Sequence, residues 1–228
     1  MKLVRLTERL WYYPYEFDRD RPNLGYIKGD NWSLAVDAGH SASHTEEFYK
    51  ALEEEGLPLP SLTVLTHWHW DHTFGMHAVN GLCIANSKTN QHLIEYRDRI
   101  AKEGPEWFIK SHETIEKEYA DNSNVIVVPA DIVFDGELLL DAGNCPIRIF
   151  QTESPHTDDC TLVHVINERL CFIGDANSGV FPGGEKDKGL CESLVKTLSS
   201  IDVDRFLEGH WTPDTLQGIV DDLMDFGD

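Results

Sequence analysis

Through the first 39 residues, apolar positions come in short runs separated by turn-forming residues. Leu3 to Tyr13 is rich in branched and aromatic side chains, and Gly25 to Lys28 and Trp32 to Val36 are two more such runs. Arg21-Pro22-Asn23-Leu24 reads as a turn, and Asp37-Ala38-Gly39 closes the third run. Short runs of these residue types bounded by turn formers predict β-strands. The period then changes. Ser43 with Glu46 makes a capping-box pattern and predicts a helix from there to Glu55, which Gly56 stops. Pro58 and Pro60 lead into a predicted strand at Leu62–Thr66, so the segment reads strand, helix, strand, as in an α/β unit.

Residues Lys88 to Asn122 are highly charged, yet Leu93, Ile94, Ile100, Trp107, Phe108, Ile109, Ile115 and Tyr119 recur among the charges. The spacing predicts two helices broken near Gly104-Pro105. From Val125 the runs are strand-like again, at Val125–Val128, Glu137–Leu140, Ile147–Gln151, Cys160–Ile166 and Arg169–Ile173. Gly136 and Asn167-Glu168 supply turns, and helices are expected near Asp187–Ser199 and Pro213–Phe226. No internal repeat, low-complexity stretch or linker interrupts the pattern.

With 228 residues, 41% hydrophobic and 26% charged, the chain is expected to form one domain over 1–228, with a helical insert at 88–122. That length can bury a sizeable core without staples. Cys83, Cys145, Cys160, Cys171 and Cys191 are odd in number and widely spaced, with no C-x-x-C pair. They read as reduced, buried thiols rather than a disulfide framework or a zinc ribbon. Arg5, Glu8 and Arg9 interrupt the N-terminal apolar run, and no apolar run approaches the roughly 18 residues that span a bilayer. A cytoplasmic protein is expected. Nineteen Lys and Arg against 40 Asp and Glu leave a formal charge of −21. That surface repels phosphate backbones and points to a small-molecule substrate, with neither nucleic acid nor membrane as partner.

The chemistry concentrates in Thr66-His67-Trp68-His69-Trp70-Asp71-His72, which follows a buried strand and precedes an expected helix. Three imidazoles and a carboxylate this close together would each need a buried partner if they were mere packing. They are instead the donors that suit Zn²⁺, Fe²⁺ or Mn²⁺. At a strand end, His67 and His69 point to one side, two residues apart, and a turn into a helix lets Asp71 and His72 swing toward a second position.

This H-x-H-x-D-H arrangement resembles the metallo-β-lactamase superfamily. The resemblance extends to Asp37 in Val36-Asp37-Ala38-Gly39, His156 in Ser154-Pro155-His156, Asp175 in Phe172-Ile173-Gly174-Asp175, and His210 in Phe206-Leu207-Glu208-Gly209-His210. One departure is Pro155, where relatives often place a glycine before the histidine. The resemblance implies an α/β fold, an αββα sandwich of two mixed β-sheets flanked by helices. It also implies two divalent metal ions, zinc first, with iron or manganese as alternatives. His67, His69 and His156 would bind one metal, Asp71, His72 and His210 the second, and Asp175 would bridge them. Asp37 would orient a ligand or the motif loop.

The activity so implied is hydrolysis by a metal-bridging hydroxide, with Asp71, Asp175 and His210 as catalytic residues. The substrate would be a small ester, lactone or thioester, with a phosphodiester less favoured. An all-histidine start to the motif separates the chain from flavodiiron-type oxygen reductases, which usually carry a glutamate there. Only 18 residues follow His210, with five aspartates and no Lys or Arg, unlike the basic C-terminal domain of glyoxalase II. Ala176-Asn177-Ser178 stands where N-acyl homoserine lactonases usually place a tyrosine. The alternative is a mononuclear iron oxidoreductase on the same fold, similar to persulfide dioxygenases, using only His67, His156 and Asp175. The 88–122 insert is the expected substrate-selecting element, with Trp68, Trp70, Trp107, Phe108 and Trp211 as apolar walls. His40, His44, His77, His92, His112 and His164 are expected to be surface or packing residues, His40 being notable for its place after Asp37.

Overall fold

The computed structural model describes residues 1–121 and 124–226. Asn122, the expected edge of the insert, and Asp228, the expected end of the domain, lie outside them. The strands are β1 (Val4–Arg5), β2 (Leu10–Tyr13), β3 (Leu24–Lys28), β4 (Ser33–Val36), β5 (Leu62–Val64), β6 (Leu82–Asn86), β7 (Ile132–Phe134), β8 (Glu137–Asp141), β9 (Pro146–Gln151), β10 (Thr161–Val165), β11 (Leu170–Gly174) and β12 (Arg205–Glu208). The helices are α1 (Ala42–Glu54), α2 (Trp70–Thr73), α3 (Ser87–Glu103), α4 (Glu106–Ile109), α5 (Glu113–Glu118), α6 (Lys188–Ser199) and α7 (Leu216–Met224).

Strands β1 to β7 form one sheet in sequence order, antiparallel as far as β4 and parallel from β4 to β7. The second sheet runs β12-β11-β10-β9-β8, with only β11 and β12 parallel. Because side chains alternate across a strand, each sheet has an inner and an outer apolar face. Leu10, Tyr12, Ile27, Leu34, Val36 and Val64 of the first sheet meet Ile147, Ile149, Val163, Val165, Phe172 and Leu207 of the second in a central core. On the outer face of the first sheet, Trp11, Tyr13, Tyr26 and Ala35 pack under Phe48 and Leu52 of α1. On the outer face of the second, Leu162, Cys171 and Phe206 pack under Leu194 and Leu198 of α6 and Ile219 and Leu223 of α7. The arrangement is the expected αββα sandwich. All five cysteines are buried free thiols.

Local departures have local causes. Helix α1 is capped by Ser41, whose Oγ accepts from His44 N at 3.2 Å, and not by Ser43. The Ser43 hydroxyl is taken by the Arg21 guanidinium at 3.4 Å. The expected strand at Val125–Val128 joins no β-ladder among the described residues. Val125 and Val127 bury their side chains beside Leu93, Phe108 and Ile115, while the place beside β6 is filled by β7. Branched alternation marks a buried extended chain, whereas a ladder also needs a free strand edge.

The expected helical insert contains three helices rather than two, with the first break at Gly104, where φ is 78°. It is bolted to the N-terminal segment. The buried Arg21 guanidinium donates to both Glu118 oxygens, at 2.7 and 3.0 Å, and the Ser41 hydroxyl bonds the same carboxylate. Lys117 pairs with Asp18 at 2.8 Å, and the Tyr119 hydroxyl donates to His40 O at 2.8 Å.

Candidate metal centre

The site is built where strands end. Asp37 follows β4, His67 follows β5, Asp175 follows β11 and His210 follows β12; His156 lies in the loop that enters β10. Since β4 and β5 are parallel, as are β11 and β12, their C-terminal ends emerge on one edge of each sheet. A 2.7 Å bond from Thr161 N to Thr66 O joins the two edges. After Thr66 the chain turns so that His69 precedes α2, whose single turn carries Asp71 and His72. Gly209 admits Asp175 and His72 to the same space, because a Cβ there would lie 2.0 Å from Asp175 Oδ1 and 2.9 Å from His72 Cε1.

All seven motif residues come together, in two groups. The donor atoms of His67, His69 and His156 lie within 4.8 Å of one another, as do those of Asp71, His72, Asp175 and His210. In the first group His156 Nε2 is 3.0 Å from His69 Nδ1. In the second, His210 Nε2 is 3.0 Å from Asp71 Oδ2 and His72 Nε2 is 3.2 Å from it. Asp175 stands between the groups. Its Oδ1 is 3.5 Å from His72 Nε2, while its Oδ2 is 3.4 Å from His210 Nε2 and 3.9 Å from His156 Nε2.

The outer nitrogens of the imidazoles are held by partners that aim the inner ones. His72 Nδ1 bonds Asp37 Oδ2 at 2.8 Å, His156 Nδ1 bonds Gly179 O at 2.8 Å, and His67 Nδ1 lies 3.2 Å from Thr66 Oγ1. Such bonds set the tautomer and leave the opposite nitrogen free as a donor to a metal. His67 Nε2 is buried with no hydrogen-bond partner. Buried nitrogens without partners are costly unless something binds them, so the donor set fits divalent cations. Pro155 in place of glycine does not displace His156, because Ser154 Oγ accepts from His156 N at 3.0 Å and donates to Ala176 O at 2.8 Å.

The two groups differ in charge. Burial and the neighbouring His72 keep the His67 imidazole far below its ordinary pKa, and burial and His156 push His69 down to about 3. His67 and His69 are therefore neutral imidazoles, the form that ligates. In the second group burial opposes the charge on His210, but Asp175 and Asp71 outweigh it and raise the imidazole to about 10. His72 is raised likewise against burial by Asp71, Asp175 and Asp37. Burial disfavours the Asp71 and Asp175 carboxylates, yet their histidine partners hold both well below the ordinary range. Without metal, imidazolium protons supply the positive charge this corner requires.

Asp20 and two exposed aromatics were passed over in the sequence. The Asp20 carboxylate accepts from Trp70 Nε1 at 3.2 Å. Burial, and then Asp71, raise its pKa. Phe17 and Trp211, 53% and 54% exposed, pack edge to face at 5.3 Å beside His210. Phe181, also exposed, meets Trp70 at 5.1 Å and His69 at 6.4 Å. Only the φ of 53° at Asp20 marks that turn as unusual, and a sequence does not display it. Of the five expected wall aromatics, Trp211 alone is largely exposed. Trp70 and Phe108 are core residues in edge-to-face contact at 6.0 Å, Trp107 lies under Arg99 at 3.6 Å, and Trp68 bridges His69 and Tyr96. Helices α3 to α5 thus back the motif from behind, reaching the mouth through His112, 6.4 Å from Phe181.

Residues 18–211 match the family described as the Metallo-beta-lactamase superfamily. No curated protein sequence gave a significant match. Among solved structures, a metallo-beta-lactamase from Pontibacter korlensis is similar at 14% identity and a TM-score of 0.68, covering 98% of this chain and 99% of that one. A metallo-beta-lactamase from Erythrobacter litoralis, with beta-mercaptoethanol in its active site, is similar at 17% and 0.67, covering 98% and 94%. The sec-alkyl sulfatase PisA1, as a double mutant, is similar at 14% and 0.69, covering 98% of this chain but 40% of its own. At these identities the likeness is one of fold.

Proposed function

The chain belongs to the metallo-beta-lactamase superfamily, and from that premise we propose that it is a cytoplasmic, metal-dependent hydrolase of small esters, lactones or thioesters. In this reading the whole chain serves one catalytic domain. His67, His69 and His156 would hold one divalent cation and Asp71, His72 and His210 a second, with Asp175 available to both; zinc is the first choice. The observation that carries the reading is the two convergent donor groups with Asp175 between them. A one-iron redox centre would leave Asp71, His72 and His210 without a task, and those residues are buried or nearly so and aimed at one another.

Bound cations would supply Lewis acidity and bring a coordinated water within reach of ionisation at neutral pH. The rest falls to the chain. Asp37, Thr66 and Gly179 orient the imidazoles, and α3 to α5 hold the motif rigid from behind. Asp20, outside both donor groups and raised in pKa by burial and Asp71, would hold a proton for the leaving group. Phe17, Trp211 and Phe181 would take an apolar part of the substrate at the mouth. The acidic surface supports a small substrate rather than a nucleic acid, and no helix is long and apolar enough to cross a membrane.

The test is elemental analysis of protein purified without added metal, followed by ester, lactone, thioester and phosphodiester substrates. At least two metals per chain with hydrolysis that disappears in His69→Ala is the expected result. One iron with oxygen consumption would replace this reading by the redox one.

A further inference from the structure

We propose that His92, Asp158 and Asp159 form a separate cation site, for a divalent transition ion such as Zn²⁺, that clamps α3 to the loop carrying His156. None of the three belongs to the seven residues of the candidate metal centre, so the inference does not depend on how that centre works. One donor atom from each lies within 4.8 Å of the others. His92 Nε2 is 2.8 Å from Asp158 Oδ1. Asp159 is 1% exposed, and its Oδ1 is buried with no hydrogen-bond partner. Its Oδ2 accepts from Thr89 Oγ1 at 2.7 Å, one helical turn before His92, so helix and loop already meet here. The nearby Thr157 hydroxyl is engaged with Cys160 Sγ at 3.2 Å.

Two acidic side chains here flank one imidazole, and the nearby lysine does not meet the buried oxygen. The cation already beside them is Lys88, whose Nζ is 3.6 Å from Asp158 Oδ2 and donates to Asp158 O at 2.9 Å. That leaves the buried Asp159 Oδ1 without a partner, which a dication would satisfy and a surface lysine does not reach. One imidazole with two carboxylates suits Zn²⁺, Mn²⁺ or Fe²⁺, and the exposed side at Asp158 leaves room for waters to complete the coordination. The Trp68 ring lies between His92, at 5.5 Å, and His69, at 4.7 Å. An ion here would thus brace both the His156 loop and the motif loop from outside.

The test is Zn²⁺ binding by equilibrium dialysis with elemental analysis, on the wild type and on His92→Ala, Asp158→Asn and Lys88→Met. These three residues are at least partly exposed, so the fold should survive their replacement, and circular dichroism checks it. The wild type should bind one zinc more than His92→Ala or Asp158→Asn, with the remaining zinc unchanged in affinity. Lys88→Met, freed of a competing charge, should bind that zinc several-fold more tightly. Equal stoichiometry in wild type and both ligand variants, or no tightening in Lys88→Met, would overturn the proposal and leave the cluster as an ordinary surface ion pair. A failure of the main centre would instead remove zinc equally from all four proteins and leave the difference between them intact.

Discussion

His72 Nδ1 lies 2.8 Å from Asp37 Oδ2, with both side chains buried. Asp37 also accepts from Thr66 N at 2.7 Å through Oδ1, so one carboxylate fixes both the start of the motif loop and the ring of a candidate ligand within it. It does so from a backbone φ of 66°, an uncommon conformation for a residue with a side chain. Asp37→Asn keeps the shape but weakens the acceptor. It should lower metal affinity about 10–100-fold with a small change in melting temperature. Competition with a chromogenic chelator measures the first and thermal melting the second.

Metal uptake should release protons. In metal-free protein the His210 imidazole stays protonated up to about pH 10 because Asp175 and Asp71 outweigh the effect of burial, and a ligand must lose that proton. Calorimetric titration at pH 7.5 in buffers of different ionisation enthalpy should give heats that scale with the buffer. Buffer-independent heats would mean the histidine is already neutral.

The same shift sets a pH window for the metal-free protein. A histidine raised from 6.5 to about 10 in the folded state adds stability that is complete below pH 6.5 and is lost as pH rises through 10. The melting temperature of chelator-treated protein should therefore fall between pH 6.5 and 10, while zinc-loaded protein changes less. The gap between the two should widen with pH.

Asp20→Asn tests the leaving-group role. It keeps an acceptor for Trp70 Nε1 but removes the ionisable proton. We expect kcat to fall about 10²-fold with metal content unchanged and the limb of the pH profile due to this group gone. A fall in metal content instead would make Asp20 a part of the metal-holding frame.

Aromatics in the core and at the mouth should separate cleanly. Phe108, 1% exposed between Trp70, Phe74 and Tyr119, should cost roughly 3–5 kcal/mol of stability when replaced by alanine. Phe17→Ala and Trp211→Ala remove exposed rings and should raise KM with little loss of stability. Denaturant unfolding and steady-state kinetics on the same three variants decide it.

The candidate donor cluster was legible in the chain itself, and the layer order through the family resemblance that the cluster carries. Imidazole and carboxylate side chains crowded at His67 to His72 point to a shared cation, and strand runs alternating with helical stretches specify an α/β chain, which the resemblance narrows to a sandwich. Most strand and helix types are legible because burial of one face imposes the period on the sequence. What the sequence left open depended on which distant segments meet. Whether Val125–Val128 pairs was settled by the edge of β6, and whether Ser41 or Ser43 caps α1 by the position of Arg21. The insert acts as a brace behind the motif because Glu118 finds Arg21, 97 positions away. Asp20, Phe17 and the His92–Asp158–Asp159 cluster carry no local pattern at all. Their placement comes from long-range packing, which acts between surfaces that exist only after the chain has folded.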